Sequence, residues 1–119
     1  MTKRSTNPDF LNGVPELVVL ELLSRTPMYG YELVQAIQAE SGGALTFGEG
    51  CIYPLLHKLE ARGYLASRRM QVGGRSRVLY RITPKGTKEF TQSAARWSTV
   101  VAAVGRVLQG VEHERAKSA

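Results

Sequence analysis

The sequence predicts a mainly α domain with a small β-hairpin wing, a winged helix-turn-helix, followed by a long C-terminal dimerisation helix. Three observations predict it. Three apolar segments at helical spacing occupy the first half, each bounded by Gly or Pro. Two short strand-like segments rich in arginine follow, joined through Gly73-Gly74. A Thr-Pro pair then opens a stretch in which apolar residues recur every three and four positions. Three helices, a hairpin and a trailing helix is the order of domains that lay the third helix in a DNA major groove and the hairpin against the flanking backbone or minor groove.

The first helix is expected from Asn12-Gly13-Val14-Pro15, a turn followed by an early proline, to about Arg25. Leu17, Leu20 and Leu23, with Val18, Val19 and Leu22 between them, make it apolar nearly all round and therefore buried. Thr26-Pro27 ends it. Tyr29-Gly30-Tyr31-Glu32 opens a second helix with Met28, Leu33, Ala36 and Ile37 on one face, stopping at Ser41-Gly42-Gly43.

In the third helix, Ile52, Leu55, Leu56 and Leu59 fall at i, i+3, i+4 and i+7, one apolar stripe. Pro54 has no amide hydrogen to donate, so the helix must begin near Glu49 or Gly50. Gly63 ends it. Opposite the stripe lie Gly50, Tyr53, Pro54, His57 and Ala61, with Lys58 and Arg62 on one flank. Residues 64–72 and 78–82 read as the two strands of a hairpin whose loop, 73–77, carries Arg75 and Arg77. Thr83-Pro84 supplies a cap and a first-turn proline for a helix to about Glu114. The expected organisation is a flexible arm over 1–13, the winged domain over 14–83, the dimerisation helix over 84–114 and a disordered tail over 115–119.

With 119 residues there is room for one modest core and none for a barrel or a two-domain enzyme. The single cysteine, Cys51, and two histidines, His57 and His113, supply neither an internal disulfide nor a clustered zinc site, so no metal and no cofactor is expected. No apolar run is long enough to span a bilayer, and MTKRSTNPDF lacks the apolar core of a signal peptide; a cytoplasmic protein is expected. The formal charge of +6 is unevenly placed: residues 1–60 carry net −3 and residues 61–119 net +9. Between Glu60 and Glu89 stand Arg62, Arg68, Arg69, Arg75, Arg77, Arg81, Lys85 and Lys88 with no acid among them. A one-sign block of this kind points to a polyanion, double-stranded DNA in this fold, against the plainer reading of a solvated face.

Candidate DNA-binding residues follow from that placement. Tyr53 stands near the start of the third helix, off its stripe, where it meets either DNA or the hairpin. His57 and Lys58 project one turn later, toward bases or phosphates. Arg75 and Arg77 flank a Gly-Gly turn from which arginine forks onto phosphate or enters a narrow minor groove. Gly48-Glu49-Gly50 is not a dinucleotide loop, because Tyr53 replaces its third glycine and no βαβ unit surrounds it. Cys51, at a helix start, is either a redox-sensitive thiol or a small residue that fits. His57 and Cys51 lack an orienting carboxylate, and no catalytic set is found, so an enzyme is not expected.

The last helix carries Phe90, Ala94, Trp97, Val101, Val104, Leu108 and Val111, alternately four and three apart, an a/d seam for pairing with another helix. Packing of the seam on its own domain is the competing reading. Trp97 within that seam, beside Ala94 and Val101, is a candidate effector-binding residue, since its indole offers a stacking surface to a small planar aromatic compound.

Tyr29-Gly30-Tyr31-Glu32-Leu33, then Gly50-Cys51-Ile52-Tyr53-Pro54-Leu55-Leu56-His57-Lys58-Leu59-Glu60 with Gly63-Tyr64-Leu65, resemble the PadR family of bacterial transcriptional regulators. Arg75 through Tyr80 and Ile82-Thr83-Pro84-Lys85-Gly86 extend the resemblance, which covers roughly residues 14–111. Two positions depart from the family pattern: Cys51 stands where threonine is common, and Arg77-Val78-Leu79-Tyr80 replaces Arg-Lys-Tyr-Tyr. The resemblance implies a dimeric repressor of the short subgroup with a single C-terminal dimerisation helix, and a site for planar drugs or phenolic compounds near the dimer interface. The combined expectation is a homodimeric, sequence-specific DNA-binding repressor on a near-palindromic operator, released by a small aromatic effector. The alternative is a winged-helix protein-interaction adaptor without sequence-specific DNA binding.

Overall fold

The computed structural model describes residues 13–118, and side chains over 13–110. Helix α1 (Val14–Arg25) starts after Gly13 and carries Pro15 in its first turn, where amides have no helical partner anyway. Val14, Val19, Leu20, Leu22 and Leu23 are buried, whereas Leu17 and Val18 of the expected all-round apolar surface are half-buried. At its end Arg25 bridges Glu21 on α1 and Glu40 on the next helix, both at 2.8 Å.

A strand that sequence periodicity did not suggest comes next: β1 (Met28–Tyr29) precedes α2 (Gly30–Glu40). Two residues are too few to show alternation, and both were expected with the helix. Instead the helix begins at Gly30, and the Tyr29 amide donates to the Glu32 carboxylate at 2.8 Å. Leu33 and Ile37 turn inward from α2. The connection to the next helix adds Phe47, only 2% exposed, to the core.

Helix α3 (Glu49–Ala61) buries Ile52, Leu56 and Leu59 completely, with Leu55 half-buried beside them. Pro54 falls inside the helix, in its second turn, where it removes the hydrogen bond that the Gly50 carbonyl would otherwise receive. The helix stops through two reversed hydrogen bonds, Tyr64 amide to Leu59 carbonyl and Gly63 amide to Glu60 carbonyl, both 2.9 Å. That closure needs the left-handed Gly63, at φ +84.

Strands β2 (Leu65–Val72) and β3 (Arg75–Ile82) pair antiparallel from Leu65 opposite Ile82 to Val72 opposite Arg75. The turn is therefore Gly73-Gly74 alone, with φ +57 and +78, the backbone of a tight hairpin turn. This corrects the expected loop over 73–77: Arg75 and Arg77 belong to β3, opposite Val72 and Met70. With β1 added, the sheet order is β1-β3-β2. Alternation places Leu65, Tyr80 and Ile82 on one face, and Arg68, Arg75, Arg77, Leu79 and Arg81 on the other. The first face closes the core, with Tyr80 only 3% exposed.

Helix α4 (Pro84–Ser118) is capped as Thr83-Pro84 predicts: the Thr83 hydroxyl accepts the Gly86 amide at 3.0 Å and donates to the Gly63 carbonyl at 2.7 Å. The Thr83 amide reaches the Tyr64 carbonyl at 3.0 Å and Lys85 the Arg62 carbonyl at 2.9 Å, fastening α4 to the α3–β2 turn. The helix continues past the expected boundary at 114, to Ser118; of the expected arm and tail, residues 1–12 and 119 lie outside the described residues. Phe90 packs against its own domain's core and α4 lies against α1. Among the described residues, no helix is long and apolar enough to cross a membrane.

Candidate nucleic-acid interface

The third helix and the wing are locked to each other below their exposed faces. Glu60, near the end of α3, accepts a hydrogen bond from the Ser67 hydroxyl of β2 at 2.8 Å. Tyr80 of β3 is buried under the same joint. Its hydroxyl is held above its ordinary pKa first by burial, then by the Glu60 carboxylate and by Tyr53. The Glu60–Ser67 bond and the buried Tyr80 ring thus tie α3 to the wing.

Of the five residues singled out for DNA contact, three converge. Tyr53 and His57 of α3 and Arg77 of β3 line one concavity of about 250 Å³ between α2, α3 and the wing. His57 is exposed, whereas Tyr53 is half-buried and packs against Gly30 at the start of α2. The helical wheel placed Tyr53 on the outward face; the incoming α2 covers part of that face. Desolvation raises the Tyr53 pKa first, Glu49 adds to the rise and Arg77 opposes it. Lys58 does not join this group. It lies on the other flank of α3, in a groove shared with Glu16, Cys51, Pro54 and Leu55. Arg75 stands exposed at the start of β3, next to the turn.

The stacked tyrosines of the concavity were not among the residues singled out. Tyr29 and Tyr31 stack with ring centroids 5.9 Å apart and planes 10° from parallel, and the Arg77 guanidinium lies 4.6 Å from the Tyr31 ring centroid. The tyrosine pair was visible as a Tyr-x-Tyr repeat. Its partner on β3 was not, because the contact joins segments far apart in the chain.

The ion pairs among the described residues involve only Arg25 and Arg96. Among the described residues, no carboxylate forms an ion pair with the bases that stand between Glu60 and Glu89. The described residues contain no group of three or more His, Cys, Asp or Glu placed to hold a metal ion. Cys51 is half-buried and packs against the core.

Along α4 the predicted seam divides. Phe90 belongs to the domain's own core and Ala94 is half-buried. Trp97 (42%), Val101 (51%), Val104 (50%) and Leu108 (57%) are exposed, as are Val100 and Val107 beside them. Val111 falls outside the described side chains.

Residues 19–92 match the Transcriptional regulator PadR-like family. The chain is 33% identical over 84 residues to Transcriptional regulator Rv3488 of Mycobacterium tuberculosis, covering 71% of this chain and 76% of that protein. Among solved structures, a PadR family transcriptional regulator from Eggerthella lenta superposes with a TM-score of 0.72 at 33% identity, over 84% of this chain and 86% of that one. A transcriptional regulator from Clostridium thermocellum superposes with a TM-score of 0.77 at 27% identity, over 83% of this chain and 97% of that one. The α3–wing joint, the long α4 and these matches together establish that the chain belongs to the PadR-like family of transcriptional regulators.

Proposed function

We propose that the protein is a cytoplasmic homodimeric repressor that binds double-stranded DNA. The exposed face of α3 enters the major groove, and Arg75 and Arg77 grip phosphates beside it. The carrying observation is the basic block itself: among the described residues, no carboxylate pairs with the arginines of β2 and β3. Unpaired cations on a two-element surface favour phosphate contacts, which are the sequence-independent part of DNA affinity. Tyr53 and His57 approach base edges from α3, and Lys58 the backbone on its other flank. The exposed apolar stretch of α4, in register with Phe90 and Ala94 and continued in sequence by Val111, joins two copies. The two α3 helices then reach successive major grooves about 34 Å apart on a near-palindromic operator.

Trp97, exposed on that stripe, is the seat for a planar aromatic effector that releases the repressor. Release requires the compound to prefer one spacing of the two reading heads, since equal affinity for both shifts nothing.

The test is DNA binding by the purified protein across a salt series. Arg75→Ala and Arg77→Ala should each weaken binding to all sequences and lower the slope of log K against log salt by about 0.9. A protein that shifts no duplex at low salt is instead the interaction adaptor. Titration with planar aromatic compounds should quench Trp97 fluorescence; without quenching, the effector seat is wrong.

A further inference from the structure

The two wing arginines differ in a way that charge alone does not explain. Arg75 is exposed and stands at the turn. Arg77 is half-buried, with its guanidinium 4.6 Å from the Tyr31 ring centroid. Tyr31 is itself held, stacked on Tyr29 with centroids 5.9 Å apart. Tyr29 is fixed in turn as the β1 residue opposite Leu79. The result is a chain of supports from the sheet, through two rings, to one guanidinium at the rim of the concavity shared with Tyr53 and His57.

The N–H donors of a guanidinium all lie in its own plane, and holding it against an aromatic face limits the directions they can take. Those donors match two oxygens of a phosphate in a forked arrangement. Holding the side chain in advance also removes the ordering cost that a free arginine meets on binding.

We infer that Tyr31 is a positioning residue for DNA binding, which holds Arg77 so that the concavity between α2, α3 and β3 seats one backbone phosphate of the duplex. The inference rests on the DNA-binding reading proposed above. Tyr31 acts through Arg77, so its contribution vanishes when Arg77 is removed. Arg75, lacking such a support, contributes charge without a fixed geometry.

The experiment measures affinity for a fluorescein-labelled duplex of random sequence by anisotropy, across a salt series, for the full chain. Tyr31→Phe keeps the ring and should bind as the wild type does. Tyr31→Leu should weaken binding by about three- to tenfold, the cost of ordering one long side chain. In an Arg77→Ala background the same Tyr31→Leu change should have no further effect. Arg77→Lys retains the charge but not the planar fork, carries little folding risk, and should lose affinity to a similar extent with its salt slope kept. Equal losses from Tyr31→Leu with and without Arg77, or wild-type affinity in Tyr31→Leu or Arg77→Lys, would overturn the inference while the DNA-binding reading stands. Failure of the wild-type protein to bind the duplex would overturn both.

Discussion

The ring of Tyr53 lies so close to Gly30 that a methyl group at Gly30 would meet it 2.7 Å from Cζ and 2.8 Å from the hydroxyl oxygen. Gly30 is not among the glycines with positive φ, so its backbone does not require glycine. The requirement comes from across the fold, where the side chain of α3 occupies the space beside the first residue of α2. Tyr53 also lines the concavity with His57 and Arg77, so this contact lies at the candidate interface.

Gly30→Ala therefore separates two effects. Alanine in a helix is intrinsically favourable over glycine by up to about 1 kcal/mol. Displacement of the Tyr53 ring should outweigh that, with a net loss of about 1–3 kcal/mol. Thermal unfolding at fixed protein concentration should show the loss, and in a Tyr53→Ala background the same substitution should be neutral or stabilising. A Gly30→Ala protein as stable as the wild type would remove the ring contact from the account.

Gly86→Ala should cost more than Gly30→Ala. The methyl group would collide with the Tyr64 carbonyl oxygen, a backbone atom, and lie 2.8 Å from Ile82 Cγ1. A ring can rotate aside, but Tyr64 is fixed by its bonds to Leu59 and Thr83. Removing Cγ1 with Ile82→Ala should not restore Gly86→Ala to the stability of the Ile82→Ala single variant. Rescue in thermal melts would show that the side chain, not the backbone, limits the approach of α4.

Much of this arrangement was legible in the sequence, for local reasons. The stripe Ile52, Leu56 and Leu59, the Thr83 cap and the Gly63 stop each depend on residues within a few positions of one another. The wing was misjudged because arginine and serine at 75–77 look like loop composition, whereas strand pairing is decided by the partner strand and by the two-glycine turn. The missing β1 had no periodicity to offer. The Tyr53–Gly30 and Arg77–Tyr31 contacts join α2 to elements that follow much later, and side-chain spacing along one helix cannot reveal them. Cys51 and Lys58 share α3 with Tyr53, yet helix rotation assigns them to another groove.

Alkaline pH offers a direct probe of the α3–wing joint. Tyr53 and Tyr80 both have pKa values raised above their ordinary 10.0, in each case chiefly by burial. A raised folded-state value means the folded protein holds these protons longer than the unfolded chain. Their contribution to stability is fully present below pH 10 and is lost as pH rises through the folded-state values. Melting temperature should fall across that window, and Tyr53→Phe with Tyr80→Phe, which keeps the rings and removes ionisation, should make the fall shallower. An unchanged slope would mean that other groups govern the alkaline loss.

In the proposed homodimer, assembly depends on the outer part of α4, whose apolar stripe is exposed among the described residues. Trp97, Val101, Val104 and Leu108 follow the a/d seam, and Val100 and Val107 widen it on one side. A stripe of this width exceeds what one facing helix covers in a two-stranded coil. In the proposed homodimer, a second element of the partner would therefore pack beside its α4. Val104→Asp would place a carboxylate in the middle of the contact, and its desolvation without a partner charge should abolish pairing at micromolar concentration. Thr99→Asp adds the same charge on the opposite face of the helix, where Thr99 is exposed and hydrogen-bonded only to the Ala95 carbonyl, at 3.1 Å. Sedimentation should give a monomer for Val104→Asp and a dimer for Thr99→Asp, with DNA affinity following the dimer. If Val104→Asp stays dimeric and binds DNA normally, the two copies meet elsewhere on the molecule.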